Sequence, residues 1–243
     1  MKQYINSVII AAAIIIGFFV IGAAYKYKFK ATENITVTGL AEKDFTSDQI
    51  VWVGNYSRKM MDLKSAYSLL KEDEGKIRTY LKGKGVADAE MVFSAVSIDK
   101  EFNNKFDADG KQIGSEFTGF NLRQNVTVDS KDIIKVETIS REVTELIESG
   151  IEFNSSPPSY YYTKLSELKV DLLAKASADA KQRAETIAKN AGSSLGKIKK
   201  ATMGVFQITG QNSNEDYSYG GAFNTSSKNK TASITVKIDF AVE

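Results

Sequence analysis

The chain has 243 residues, 42% of them hydrophobic, and its 32 basic and 30 acidic side chains leave a net charge of +2. That composition suits a folded protein with a sizeable core, and the even charge balance offers no concentrated basic face for nucleic acid. Neither cysteine nor histidine occurs. Thiol catalysis, disulfides, thiolate or imidazole metal ligation and histidine-based triads are therefore excluded; an enzyme would depend on carboxylates, lysine, tyrosine or a borrowed cofactor.

Gln3 to Tyr25 carries no charge, and Val8 to Ala24 is almost wholly apolar, close to the roughly 20 residues that cross a hydrocarbon core. Residues 1–25 read as an uncleaved signal anchor or as a signal peptide cut before Tyr25. The apolar run exceeds the usual signal-peptide core, which favours an anchor through residues 8–24. The linker 26–33 brings Lys26, Lys28 and Lys30 against Lys2 on the other side. Taken literally, the positive-inside rule would keep the rest of the chain in the cytoplasm. With no cysteine, a lipoprotein anchor is excluded.

Asn34 to Leu40 alternates as a short strand and closes on Gly39 as a turn. Asp48 to Arg58 follows as a strand with Ile50, Trp52 and Tyr56 on one face, Trp52 being a core residue. Asp62 to Lys82 has the apolar spacing of a helix; Gly75 weakens its middle, and Asp73, at the margin of the stripe, is expected to be solvated. Met91 to Phe102 is a strand.

Asp107, Asp109, Gly110 and Glu116 fall at calcium-loop spacing, but Lys105 takes the first ligand position and strands flank the segment, so a polar hairpin tip is expected instead. Gly119 to Val128 returns as a strand, and Lys131 to Ser149 reads as a helix opened by Asp129 or Ser130. Tyr160 to Leu165 reads as a short strand whose three tyrosines, Tyr160 to Tyr162, could form a ligand surface but fit packing better.

Leu165 to Gly192 is the strongest local signal. Leu168, Leu172, Ala176, Ala180, Ala184, Ile187 or Ala188, and Ala191 line one stripe of a helix, mostly in alanine, and predict close approach to a sheet or a partner helix. On the opposite face Asp171 with Lys175, Asp179 with Arg183 and Glu185 with Lys189 form acid-before-base pairs, and Gly192 ends the helix. Ile198 to Thr209 and Ala232 to Val242 alternate as strands; Lys197, Lys199 and Lys200 decorate a strand end. The Gly-, Asn- and Ser-rich stretch 210–231 between them is either a mobile tip or a segment ordered against a neighbour.

The succession of motifs resembles the SIMPL (DUF541) family over residues 34–243. It runs from Ile35, Val37 and Gly39 through the acidic opening of the second strand at Asp48, Leu81 to Val86, and Gly119-Phe120. It ends in the run Ala176, Asp179, Ala180, Arg183, Ala184, Glu185 and Ala188, followed by Gly192 and Leu195-Gly196. Two features depart from the pattern: Ser47 stands where proline often precedes the aspartate, and the late loop is rich in Asn, Ser and Tyr instead of Met.

The resemblance implies an α+β fold, a single domain at 34–243 with an antiparallel or mixed sheet covered by about three helices, preceded by the transmembrane segment. It also implies export: an inner-membrane, single-pass protein with its domain in the periplasm or extracytoplasmic space. Family members include proteins of oxidative-stress defence, some forming ring-like multimers, and a eukaryotic kinase-associated signalling relative. A homo-oligomer, a possible envelope protein partner and no nucleic acid are expected. The resemblance transfers no catalytic, cofactor-binding or metal residues, and a non-enzymatic protein is expected, the alternative being an exported binding module for a small molecule or peptide.

Overall fold

The computed structural model describes the backbone of residues 2–30 and 33–243 and the side chains of 10–26 and 33–243. The first helix, α1, is Lys2–Lys30, and its described Ile14, Phe18, Phe19 and Ile21 are all exposed. Among the described residues no helix is long and apolar enough to cross a membrane. The expected segment 8–24 begins at Val8 and Ile9, whose side chains lie outside the described residues.

From Asn34 onward the fold is α+β. The strands are β1 (Asn34–Thr46), β2 (Gln49–Met60), β3 (Met91–Phe93), β4 (Ser97–Phe106), β5 (Gln112–Ser130), β6 (Phe153–Ser155), β7 (Ser159–Tyr161), β8 (Leu195–Met203), β9 (Gln207–Gly210) and β10 (Asn229–Val242). The helices are α2 (Leu63–Gly83), α3 (Ile133–Glu142) and α4 (Leu165–Asn190). In place of one antiparallel or mixed sheet there are two sheets, and all named strands pair antiparallel. In one, β10 lies between β1 and β8, with β9 also on β10; in the other the order is β3-β5-β2-β6, with β4 also on β5 and β7 on β2.

Each sheet has its own core. Ala66, Leu70, Ile77 and Leu81 of α2, with Val136 and Ile139 of α3, cover Ile50, Trp52 and Tyr56 of β2 and Leu122, Val126 and Val128 of β5. Asp62 caps α2, its carboxylate accepting from the Ser65 amide at 2.7 Å. The predicted helix 131–149 is α-helical only to Glu142; Val143–Ser149 tightens to a 3-10 turn that ends on Gly150 at φ 73°. Trp52 is fully buried, as expected, and its indole N–H donates to Ser155 Oγ at 3.0 Å.

Asp73 is not solvated. It is 1% exposed, and Arg58 donates to it twice, at 2.5 and 2.8 Å, while also reaching the Gly150 carbonyl at 2.8 Å. A carboxylate out of water requires such a partner.

The second core lies under α4. Leu168, Leu172, Ala176, Ala180, Ala184 and Ala188 are buried; Ala188 rather than Ile187 continues the stripe. They pack on Val37 and Ala41 of β1 and on Ile234, Val236, Ile238 and Phe240 of β10. Two of the three expected ion pairs form, Asp171 with Lys175 and Asp179 with Arg183; Glu185 pairs with Lys181 instead.

One methyl per turn contributes only about 0.8 kcal/mol, so this cover depends on how near the backbones come. Gly39 sets that distance. It is no turn but the interior of β1, where a β-carbon would sit 2.1 Å from the Ala176 carbonyl oxygen. A glycine inside a strand often marks such an approach.

Candidate functional site

The stretch 210–231 is ordered, and the neighbour that orders it is the rest of the chain. Gln207, buried at the start of β9, accepts from the Ser218 and Ala222 amides at 3.2 and 2.7 Å and donates to the Ser218 carbonyl at 2.8 Å. Glu215 accepts from the Gly210 amide and from Asn224. Beyond this point the loop crosses to the other sheet. The Tyr160 amide donates to the Thr225 carbonyl at 2.7 Å, and Lys228 pairs with Glu137 of α3 at 3.3 Å.

Ser47, the expected proline position, uses the amide that proline lacks to donate to the Lys228 carbonyl at 2.9 Å. Asp48 accepts from the Thr163 amide and hydroxyl, both at 2.7 Å. These bonds weld the two sheets together.

The three tyrosines belong to this seam. Tyr160 packs against the first core and donates to Glu137 at 3.0 Å, and burial together with that carboxylate pushes its pKa up to about 12. Tyr162 packs on Phe45, with ring centroids 4.8 Å apart, at the edge of the second core. Tyr160 and Tyr162 are packing residues, as the strand reading favoured.

Lys230 completes the seam. It is 2% exposed and donates to the Tyr160 and Asn224 carbonyls at 2.7 and 2.5 Å. Burial without a carboxylate in bonding contact pushes its pKa down to about 8. The unfolded chain therefore holds the extra proton between about pH 8 and the ordinary 10.5, so this group's contribution to stability rises with pH across that window. We expect a gain of up to about 3 kcal/mol that is absent from Lys230→Met. Urea unfolding of both proteins between pH 7 and 10.5 measures it, and parallel curves would contradict it.

On the face of the β1-β10-β8 sheet opposite α4 the Gln207-braced loop closes a cleft of about 450 Å³, lined by Leu40, Val205, Gln207, Tyr217, Tyr219 and Thr235 among others. Tyr217 and Tyr219 are both exposed. Aromatic faces beside hydroxyls are a binding chemistry, for aromatic or sugar-like rings.

The second surface is the arm made by β4 and β5. Phe102 lies opposite Phe117, with centroids 5.6 Å apart, and Phe117 meets Phe120 at 5.1 Å, so an aromatic ladder runs outward from the first core. Ile98, Phe102, Phe106 and Ile113 remain exposed. The other face is polar and carries two ion pairs, Lys59 with Glu101 at 2.5 Å and Lys105 with Glu116 at 2.8 Å.

The calcium-loop residues do not converge. Asp107 closes the tip by accepting the Asp109 and Lys111 amides, and Gly110 takes the left-handed turn position at φ 78°. Among the described residues no group of three acidic side chains is placed to hold a metal.

The signals for these surfaces were present but local. Ile98, Phe102 and Phe106 recur in one phase of a strand that the prediction ended at Phe102. Lys230 shares the inward phase of Ala232, Ile234, Val236 and Ile238, two residues before the predicted start of β10.

Two antiparallel sheets, each under its own helical cover and joined by a hydrogen-bonded seam, define a two-core α+β protein with an exposed amphipathic arm. The chain belongs to the SIMPL family, described as a protein of unknown function (DUF541), whose model matches residues 35–241. A search of curated proteins gave no match.

Proposed function

We propose that this chain is a single-pass inner-membrane protein, held by α1, whose SIMPL domain faces the periplasm or extracytoplasmic space. It acts without enzymatic chemistry, by self-association or by docking on envelope partners, in tolerance of envelope and oxidative stress. The observation that carries the reading is the β4–β5 arm, which projects an apolar, aromatic face with no cover from its own helices. Contiguous exposed apolar surface of this kind marks an interaction site.

Membrane attachment is supported by the exposed apolar side chains of α1, and the stress role only by the resemblance to family members of oxidative-stress defence. Sedimentation velocity of the full chain in mild detergent is expected to give species larger than one copy, growing with concentration. A strict monomer at high concentration, with no partner recovered by cross-linking in membranes, defeats the interaction reading. Protease added outside intact protoplasts should digest the domain; protection would overturn its location.

The cleft under Tyr217 and Tyr219 favours a second reading, an exported module for a small molecule or peptide. Ligand at about 100 times its Kd would raise stability by roughly 2.7 kcal/mol. If a broad thermal-shift screen moves neither the wild type nor Tyr217→Ala, this reading is lost.

A further inference from the structure

We infer that the cleft under Tyr217 and Tyr219 binds a neutral sugar, a short chain of N-acetylated amino-sugar rings. The inference rests on the binding-module reading above and names its ligand class.

The two rings are displayed, not packed. Ser218 stands between them in the chain, and the buried Gln207 holds both of its backbone groups, accepting from the amide at 3.2 Å and donating to the carbonyl at 2.8 Å. Tyr217 and Tyr219 are nonetheless exposed, unlike Tyr160 and Tyr162 against the two cores. An aromatic face on a pinned backbone meets a ligand at little cost in ordering.

The floor of the cleft excludes other occupants. It is formed on β10, which is paired along both edges, by β1 on one side and by β8 and β9 on the other. No free backbone edge is offered there to an extended peptide, so a ligand is read by side chains. Ser233 and Thr235 alternate with Ile234 and Val236 of the second core and turn their hydroxyls to the cleft side of the sheet. Each hydroxyl both donates and accepts, as sugar hydroxyls do, whereas a wholly apolar ligand would bury them unpaired.

No charged side chain lines the cleft. The two other clefts of similar size are lined by Asp179 with Arg183 and by Lys43 with Asp171. Glu42, opposite Ser233, and Lys237, opposite Thr38, share this face of the sheet, but they are exposed and opposite in sign. Glu215 is engaged by the Gly210 amide and Asn224, and Asp216 is exposed outside the lining. The lining therefore selects a neutral ligand.

Leu40 and Val205 choose among sugars. Both are exposed aliphatic side chains within the lining. A plain hexose has no methyl group to set on them; an acetamido group has one, with an amide beside it for the hydroxyls.

The full chain, in a detergent without a sugar headgroup, is titrated with triacetylchitotriose and with cellotriose, and binding is read by saturation-transfer NMR of the ligand. Triacetylchitotriose is expected to bind about fourfold tighter or more. Tyr217→Ala and Tyr219→Ala should each weaken it by about fivefold, and Leu40→Ser should remove the preference between the two sugars. All three sites are exposed, and unchanged melting confirms that the variants fold. Equal affinity for the two trisaccharides, or affinity indifferent to both tyrosine variants, overturns the inference. So does binding of neither sugar: if another compound then stabilises the wild type but not Tyr217→Ala, the binding-module reading stands without it, and if none does, both fall.

Discussion

Gly39→Ala should destabilise the protein by about 3 kcal/mol, although it adds a single methyl group. The new β-carbon would lie 2.1 Å from the Ala176 oxygen, 2.5 Å from the Ala180 nitrogen and 2.8 Å from the Ala180 β-carbon. Two of these are backbone atoms, which cannot rotate aside, so α4 must lift from β1. Every alanine methyl along the stripe then loses contact together, because dispersion falls steeply with distance. Replacing glycine within a strand would otherwise gain roughly 0.5–1 kcal/mol from backbone entropy, which is too small to reverse the sign. Gly75→Ala is the matched control. It is the same chemical change within α2, where the added β-carbon meets nothing within 4 Å, and it should stabilise by about 0.5–1 kcal/mol. Urea unfolding followed by far-UV circular dichroism compares the two. A Gly39→Ala loss below about 1 kcal/mol would mean that the helix tolerates a wider separation than this packing requires.

The same position shows how far the sequence could be read. The alanine stripe was legible because helical periodicity is local, and six buried positions of α4 follow it without a break. Gly39 was visible as a glycine but read as a turn, since only α4, far along the chain, explains its place inside a strand. The division into two sheets was hidden for a similar reason. β1 and β2 are separated by Ser47 and Asp48 alone, yet β1 pairs with β10, with Thr36 opposite Asp239, while β2 pairs with β5. Adjacency suggested one sheet; partner choice over two hundred residues decided otherwise. The loop 210–231 read as either a mobile tip or a segment ordered against a neighbour, and its composition could not reveal that Gln207, Tyr160 and Glu137 of the same chain supply the contacts.

Charged residues in an inward phase were the signal most easily passed over. Arg58 continues the phase of Ile50, Trp52 and Tyr56 on β2, and Asp73 shares the stripe of Ala66, Leu70, Ile77 and Leu81 on α2. Two such positions on neighbouring elements predict each other, because neither is tolerable alone in a core.

The energetics of that pair should be lopsided, and the asymmetry is the test. Side-chain exposure is 28% for Arg58 and 2% for Asp73. Arg58→Met strands a carboxylate with almost no access to water, and the expected loss is about 3–5 kcal/mol. Asp73→Leu leaves a guanidinium that still donates to the Gly150 carbonyl and can turn its remaining donors toward solvent. The expected loss is roughly 1–2 kcal/mol, the cost of an imperfectly satisfied donor set. The double variant removes both charges and should return to within about 1 kcal/mol of wild type, since apolar replacements of a buried pair are commonly neutral or better. A double-mutant cycle by urea unfolding gives all three values. Equal losses for the single variants would show that water reaches Asp73 as freely as Arg58. A double variant as unstable as Arg58→Met would assign the loss to the packing of the arginine stem between β2 and the Gly150 turn rather than to an orphaned charge.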